Sequence, residues 1–215
     1  MTKRWIGGIL VLGIVVFSLA VYGALPEQVP THWGWNGEVD DWGSRAFGAF
    51  MLPGVALALW VLLPMLRKID PRRTHYERFD DTFWLIVNMI LGFMAAIHVL
   101  ALGAALGWPL NISRAVNVLA GVMLMGLGNY LPRVRSNWWI GIRTPWTLDS
   151  ERVWRETHRI AGFAFVAAGA ITLLTAFLPP AVGQPVLLVA IATAALLPTI
   201  YSFVLYRREK SAGRA

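Results

Sequence analysis

The chain has 215 residues, of which 57% are hydrophobic and only 14% charged, with a positive mean hydropathy. Soluble domains carry about 25% charged residues, so this chain has too little polar surface to coat a water-soluble globule, and lipid is its expected solvent. With no cysteine there are no disulfides and no thiolate metal sites, and the excess of 19 Lys and Arg over 12 Asp and Glu needs a partner or a place.

A spanning helix needs about 20 mostly apolar residues. In chain order the stretches that qualify are Trp5–Leu25, Phe47–Leu66, Phe83–Leu106, Ala115–Leu131, Ile160–Leu178 and Pro185–Tyr206. The first follows Lys3 and Arg4 as a signal peptide would. It is too long for such an apolar core, and Tyr22-Gly-Ala-Leu25-Pro26 is a poor cleavage site, so a retained helix is expected. Placing the N-terminus inside puts every Lys and Arg except Arg45 and Arg114 on the inner side. Positive charge near helix ends stays cytoplasmic, so the basic excess reads as topology and not as nucleic-acid binding. The expected architecture is an all-α integral membrane protein of about six helices with both termini in the cytoplasm of a bacterial plasma membrane.

The spans contain no Asp, Glu, Lys or Arg, which argues against a pump or coupled transporter. A lone His or Asn in a bundle usually bonds a neighbouring helix, and this is the reading for Asn88, His98, Asn117 and Asn129. A transporter or permease subunit for an amphipathic peptide or lipid is the competing possibility. It would need a polar cavity near Asn88, His98 and Asn117.

Two polar segments carry the remaining information. The first, Pro26–Arg45, lies outside. Asn36-Gly37 fits a two-residue hairpin turn, since both positions tolerate positive φ. That register faces Trp33 with Asp40, His32 with Asp41 and Thr31 with Trp42, leaving Trp33, Trp35 and Trp42 on one face at the headgroups. His32, Glu38, Asp40 and Asp41 could hold a cation in principle, yet they match no ligand spacing and a His–Asp pair explains itself. No metal or other cofactor is expected. The candidate ligand-facing residues are Pro30, His32, Trp33, Asn36, Gly37, Asp41 and Arg45.

The second segment, 128–159, is cytoplasmic. Pro132 ends the fourth helix. Asp149 is the expected N-cap of a helix from Ser150, stapled by Leu148 and Val153, with Glu151–Arg155 and Arg152–Glu156 as i,i+4 ion pairs. Trp138, Trp139, Trp146 and Trp154 alternate with arginines, a pattern suited to an anionic inner leaflet. Arg143 is held by Gly141, Thr144 and Pro145 with no local acid, so it serves either a partner or helix-end carbonyls and lipid phosphate. An enzyme acting through Arg143, Arg155, His158 and Arg159 would need all four in one pocket. The lipid-phosphatase pattern S-R-x5-H-x3-D fails, because Glu151 stands at its Ser and Gly162 at its Asp. No nucleophile elbow, Walker loop or zincin motif occurs, and no enzyme is expected.

Asn129-Tyr-Leu-Pro132, Asn137-Trp-Trp-Ile-Gly-Ile-Arg-Thr-Pro-Trp-Thr-Leu148 and Val153-Trp-Arg-Glu-Thr-His-Arg159 resemble the signature of SdpI-type membrane proteins. Leu25-Pro26, Pro30-Thr-His32, Gly37 and Trp42-Gly-Ser-Arg45 resemble a short membrane domain of unknown function often fused ahead of it, with Arg45 where Lys is usual. The resemblance implies an N-terminal membrane domain (1–66), a basic linker (67–82), an SdpI-like membrane domain (83–206) and a basic tail (207–215). It implies immunity to a peptide toxin met outside, and signalling by drawing a transcriptional repressor to the membrane from inside. The cytoplasmic candidates are Asn129, Pro132, Asn137, Trp138, Gly141, Arg143, Thr144, Pro145, Trp146, Trp154, Arg155, His158 and Arg159, none of them catalytic. The oligomeric state is left open.

Overall fold

A computed structural model describes residues 3–34 and 37–213. Among these, six helices are long and apolar enough to cross a membrane. They are α1 (Lys3–Val21, continued by a 3-10 turn to Ala24), α2 (Arg45–Ile69), α3 (Asp80–Ala105), α4 (Ile112–Tyr130), α6 (Glu151–Thr175) and α7 (Pro180–Ser211). A short helix α5 (Pro145–Asp149) lies between α4 and α6, and strands β1 (Gln28–Trp33) and β2 (Val39–Ser44) form an antiparallel hairpin between α1 and α2.

The helix ends follow side-chain chemistry. Ser44, Asn111 and Ser150 each accept a hydrogen bond from the backbone N–H three residues on, which satisfies donors left open by the first turn. Arg67 and Lys68 fall in the last turn of α2, and Asp80 and Asp81 in the first turn of α3, each with the sign that the helix dipole favours. The cap of α6 is therefore Ser150, one residue later than expected, while Asp149 closes α5. Asp149 could not act as its cap because Pro145 at the first position of α5 and the Thr144–Thr147 capping box start a separate helical turn that takes up Asp149.

Lys3 lies beside the start of α3, where its Nζ is 2.9 Å from Asp81 and its carbonyl accepts the Asn88 amide at 2.7 Å. Further along, Ser18 Oγ and His98 Nε2 are 2.7 Å apart, so α1 and α3 run parallel. Arg67 at the end of α2 bonds Asp80 at the start of α3. Buried residues of α1, α2 and α3 share one core with Val134 and Trp154.

The α4–α6 contact has a different basis. Gly121 lies against Gly169, and Gly128 against Gly162, in antiparallel order. A Cβ on Gly121 would stand 2.8 Å from the Gly169 carbonyl oxygen, and one on Gly128 2.7 Å from that of Gly162. With no hydrophobic force between helices in lipid, such close backbone approach is what holds a pair together. The Asn117 amide donates across the same interface to Thr175 Oγ1 at 3.3 Å. Thus Asn88, His98 and Asn117 all bond a neighbouring helix.

One end of the bundle carries Lys3, the α2–α3 connection, the loop after α4 and the end of α7. The other carries the hairpin, the α3–α4 connection and the start of α7.

Candidate functional site

At the terminal end, the loop after α4 is built on two fully buried residues, Asn137 and Trp154. Asn137 Oδ1 accepts from the backbone N–H of Trp139 and Ile140, while its Nδ2 donates to the carbonyls of Arg135 and Ile140. Trp154 donates from Nε1 to Val134 O at 2.8 Å and stacks on His158 with ring centroids 4.1 Å apart. His158 Nδ1 bonds Trp154 O, and its Nε2 accepts from the Ile142 N–H at 3.1 Å, so the neutral ring has both nitrogens engaged. Gly141 has φ +111 directly over this pair, where a Cβ would run into His158 Nε2. Glycine is required there by both conformation and space.

The α2–α3 connection completes the site. Asp70 is 1% exposed and accepts three donors: Arg72 N–H at 2.7 Å, Tyr76 OH at 2.8 Å and Trp138 N–H at 2.9 Å. Tyr76 OH also lies 3.1 Å from Asn137 Oδ1. Burial, then the Asp70 hydrogen bond and charge, push the Tyr76 phenol well above its ordinary range. Arg72 donates to Ser136 Oγ and Leu148 O, and His75 Nδ1 bonds Ser136 O at 2.7 Å. Asp70, Arg72, Tyr76 and Ser136 are absent from the expected site, whose linker 67–82 reads only as basic. The available signal was an acid, Asp70, set between the basic end of α2 and Arg72 and followed by Pro71.

The loop is also clamped to α7. Trp146 Nε1 donates to Ser202 Oγ at 2.5 Å and its ring meets Phe203 edge-on. Ser150 Oγ donates to Glu209 at 2.7 Å, and Asp149 accepts from Tyr206 OH. Trp146 and Trp154, expected to lie with the other tryptophans along the leaflet, instead turn inward, because each indole N–H finds a protein acceptor. Trp138 and Trp139 remain exposed. Among the described residues the expected Glu151–Arg155 and Arg152–Glu156 pairs do not form. Glu156 bonds Arg159 at 3.2 Å and Glu151 faces His75 at 3.9 Å.

The remaining candidates lie apart from one another. Arg143 is exposed and donates to Trp138 O at 2.6 Å, holding the loop carbonyl. Thr144 caps α5 and Pro145 begins it. Asn129 is exposed, and the Pro132 ring packs on Gly162. Arg155 borders a polar cleft of about 470 Å³ with Asp149, Glu209 and Lys210. Arg143, Arg155, His158 and Arg159 do not converge on one pocket, so the enzyme site that required them together does not form.

At the opposite end, Val29 packs with Leu25, Ala49 and Leu102, and Pro30 is buried beside it. His32 pairs with Asp41 in backbone register, but Trp33 stands opposite Val39 and Trp42 opposite Pro30, with irregularities around His32. The expected register with Trp33 facing Asp40 and Thr31 facing Trp42 is thus shifted. The physical reason is the turn. Gly37 N–H donates to Gly34 O, Gly34 N–H to Glu38 O, and Gly37 has φ +82, so the loop closes from Gly34. Asn36 and Trp35 lie outside the described residues. The shift also changes the side-chain pairing: His32 Nδ1 bonds Asp40 at 2.5 Å, while Asp41 accepts from the Trp42 N–H. Arg45 donates to Pro26 O across the hairpin base. Among the described residues no group of three or more His, Asp or Glu could hold a metal ion.

These features define a multi-pass helical membrane protein with a folded hairpin at one end and a hydrogen-bonded loop cap at the other. Residues 133–202 match the SdpI/YfhL protein family, and residues 9–57 match a domain of unknown function (DUF1648). The chain is 27% identical over 208 residues to "Immunity protein SdpI" of Bacillus subtilis (strain 168), covering 97% of this chain and 98% of that protein. Both matches include a polar segment whose motifs resemble that family or the domain often fused ahead of it. No solved structure matches it.

Proposed function

We propose that the chain is a non-enzymatic membrane immunity protein that protects its cell against a peptide toxin. The observation that carries this reading is the end-to-end similarity to an immunity protein, which includes the hairpin as well as the loop cap. A protein with polar structure on both sides of the bilayer, and spans free of acidic or basic cargo-moving groups, suits reception more than transport. The hairpin faces outward and the basic ends face the cytoplasm, as the distribution of Lys and Arg supports. In the same reading, the charged surface around Arg152, Arg155 and Lys210 is where a cytoplasmic repressor is drawn to the membrane.

Expression in a toxin-sensitive host should raise survival under toxin; unchanged survival at confirmed membrane levels rejects immunity. Orientation is testable separately, since the chain has no cysteine to interfere. Asp41→Cys should react with an impermeant maleimide in intact cells, and Lys210→Cys only after lysis. The reverse pattern would invert the topology and move the hairpin inside.

A further inference from the structure

A cleft of about 590 Å³ lies beneath the hairpin, between it and helices α3, α4 and α7. Its walls are apolar: Ile97, Val116, Ala120, Leu187 and Ile191. Its rim is polar and acidic, with Asp40 and His32 from the hairpin. The hairpin is fixed as a roof at two points. Val29 anchors its base in the core, and Gly37 brings its tip against Ser113 in the first turn of α4, so closely that a Cβ would strike the Ser113 hydroxyl.

A second cleft of about 340 Å³ continues from the first, sharing Ser113, Asn117 and Gln184 with it. Arg114 stands at its far side, with Nε donated to Ala176 O and the guanidinium over the Phe177 ring. Its two Nη nitrogens hold no bond among the described residues. Asn117 is 8% exposed and its amide nitrogen is committed to Thr175. Its carbonyl oxygen has no hydrogen bond among the described residues, and Asn117 lines both clefts. The groove therefore has a carboxylate at one end, a guanidinium at the other, amides between them and an aliphatic wall along its first cleft.

We infer that this groove captures an extended segment of a cationic amphipathic peptide. The inference rests on the immunity reading and names the chemistry of its ligand. Apolar side chains of the peptide lie on the aliphatic wall, where burial is worth roughly 25 cal/mol per Å² of apolar surface. Its backbone meets the Asn117 and Gln184 amides, as an extended chain requires partners for its own N–H and C=O groups. A basic group sits at Asp40, and the peptide's terminal carboxylate at Arg114. Charge favours a cationic ligand, because the hairpin segment 26–45 carries Glu27, Glu38, Asp40 and Asp41 against Arg45 alone.

The test uses the full chain in phosphatidylcholine nanodiscs, with empty nanodiscs as blank. The probes are short dansyl-labelled Leu/Ala peptides with a free carboxylate, one bearing lysines and its counterpart bearing glutamates. The lysine peptide should bind saturably above the blank and the glutamate peptide should not. Asp40→Asn, at an exposed position and isosteric so that His32 keeps an oxygen partner, should weaken the lysine peptide by about tenfold, equivalent to about 1.4 kcal/mol, with the protein still eluting as a single species. Arg114→Gln should weaken the free acid but not its C-terminal amide. Ala120→Trp, which fills the cleft, should abolish binding while the protein still elutes as a single species. Equal binding of both probes, or no effect of Asp40→Asn, overturns the inference. A response to added phospholipid but to neither peptide assigns the groove to lipid and overturns it as well. Full protection of the sensitive host by Ala120→Trp removes the groove from immunity and leaves immunity standing. Saturable lysine-peptide binding by a chain that gives no protection rejects immunity and leaves the groove.

Discussion

Asp70→Ala should lower the thermal midpoint of the purified protein by roughly 6–12 °C, read by size-exclusion chromatography after stepwise heating. Removing a buried acceptor costs about 1–3 kcal/mol for each donor left unsatisfied. Asp70 serves three such donors at the junction of the α2–α3 connection and the loop cap. A loss of about 3 kcal/mol converts to that shift at about 2–4 °C per kcal/mol for a chain of this size. Asp70→Asn keeps one acceptor oxygen and should fall in between. Asp149→Ala removes only an exposed partner of Tyr206 and Lys210 and should move the midpoint little. Equal midpoints for Asp70→Ala and the parent would remove the network from the stability of the cap.

The same network gives a pH signature. Folded Tyr76 holds its proton above the ordinary tyrosine value of 10.0, while the unfolded chain releases it near that value. Above about pH 10 the unfolded state therefore binds fewer protons, and stability falls as pH rises; below it the contribution is whole. Tyr76→Phe should make the alkaline decline shallower than in the parent, and an identical slope in both would exclude Tyr76 as its source.

Gly162→Leu should be strongly disruptive within the spans. Even a Cβ at this position stands 2.8 Å from the Pro132 ring and 2.9 Å from the Gly128 carbonyl oxygen. Overpacking typically costs about 1–3 kcal/mol, and here the obstacle is backbone and a proline ring, which cannot swing aside. The α4–α6 pair must separate, carrying the loop cap with it, because His158 and Trp154 lie one and two turns earlier on α6. The yield of monodisperse protein should fall sharply for Gly162→Leu and less for Gly162→Ala. Gly13→Leu is the control, as nothing lies within 4 Å of a Cβ there. If Gly162→Leu behaves like Gly13→Leu, the close glycine crossing does not hold α4 to α6.

The number and limits of the spans were legible because lipid imposes one rule on the whole chain: long apolar runs must satisfy their own backbone. The two polar segments stood out for the same reason, as concentrations of turn formers, charge and tryptophan between such runs. Local chemistry at Ser150 and Asp149 was harder to resolve. Both are good N-caps, and the choice went to Ser150 only because the Thr144–Thr147 box made a separate helical turn of Pro145–Asp149. The hairpin register shifted similarly, since local turn chemistry does not fix where a loop closes; closure from Gly34 goes with a His32 bond to Asp40 in place of Asp41.

What the sequence determined by itself is the class: a multi-pass helical membrane protein with a hairpin outside the spans and a loop whose motif resembles SdpI-type proteins. What tertiary structure alone decided is which residues work together. Asp70 meets Trp138 and Tyr76 meets Asn137 from more than sixty positions away, and four glycines matter only because α4 and α6 cross where they do. Trp146 and Trp154 turn inward because Ser202 Oγ and Val134 O are there to accept them. The groove under the hairpin has walls from three helices and a roof from two strands. Hydrophobicity and turn chemistry are properties of neighbours along the chain and can be read in order; a shared acceptor, a close crossing or a cleft belongs to residues brought together in space.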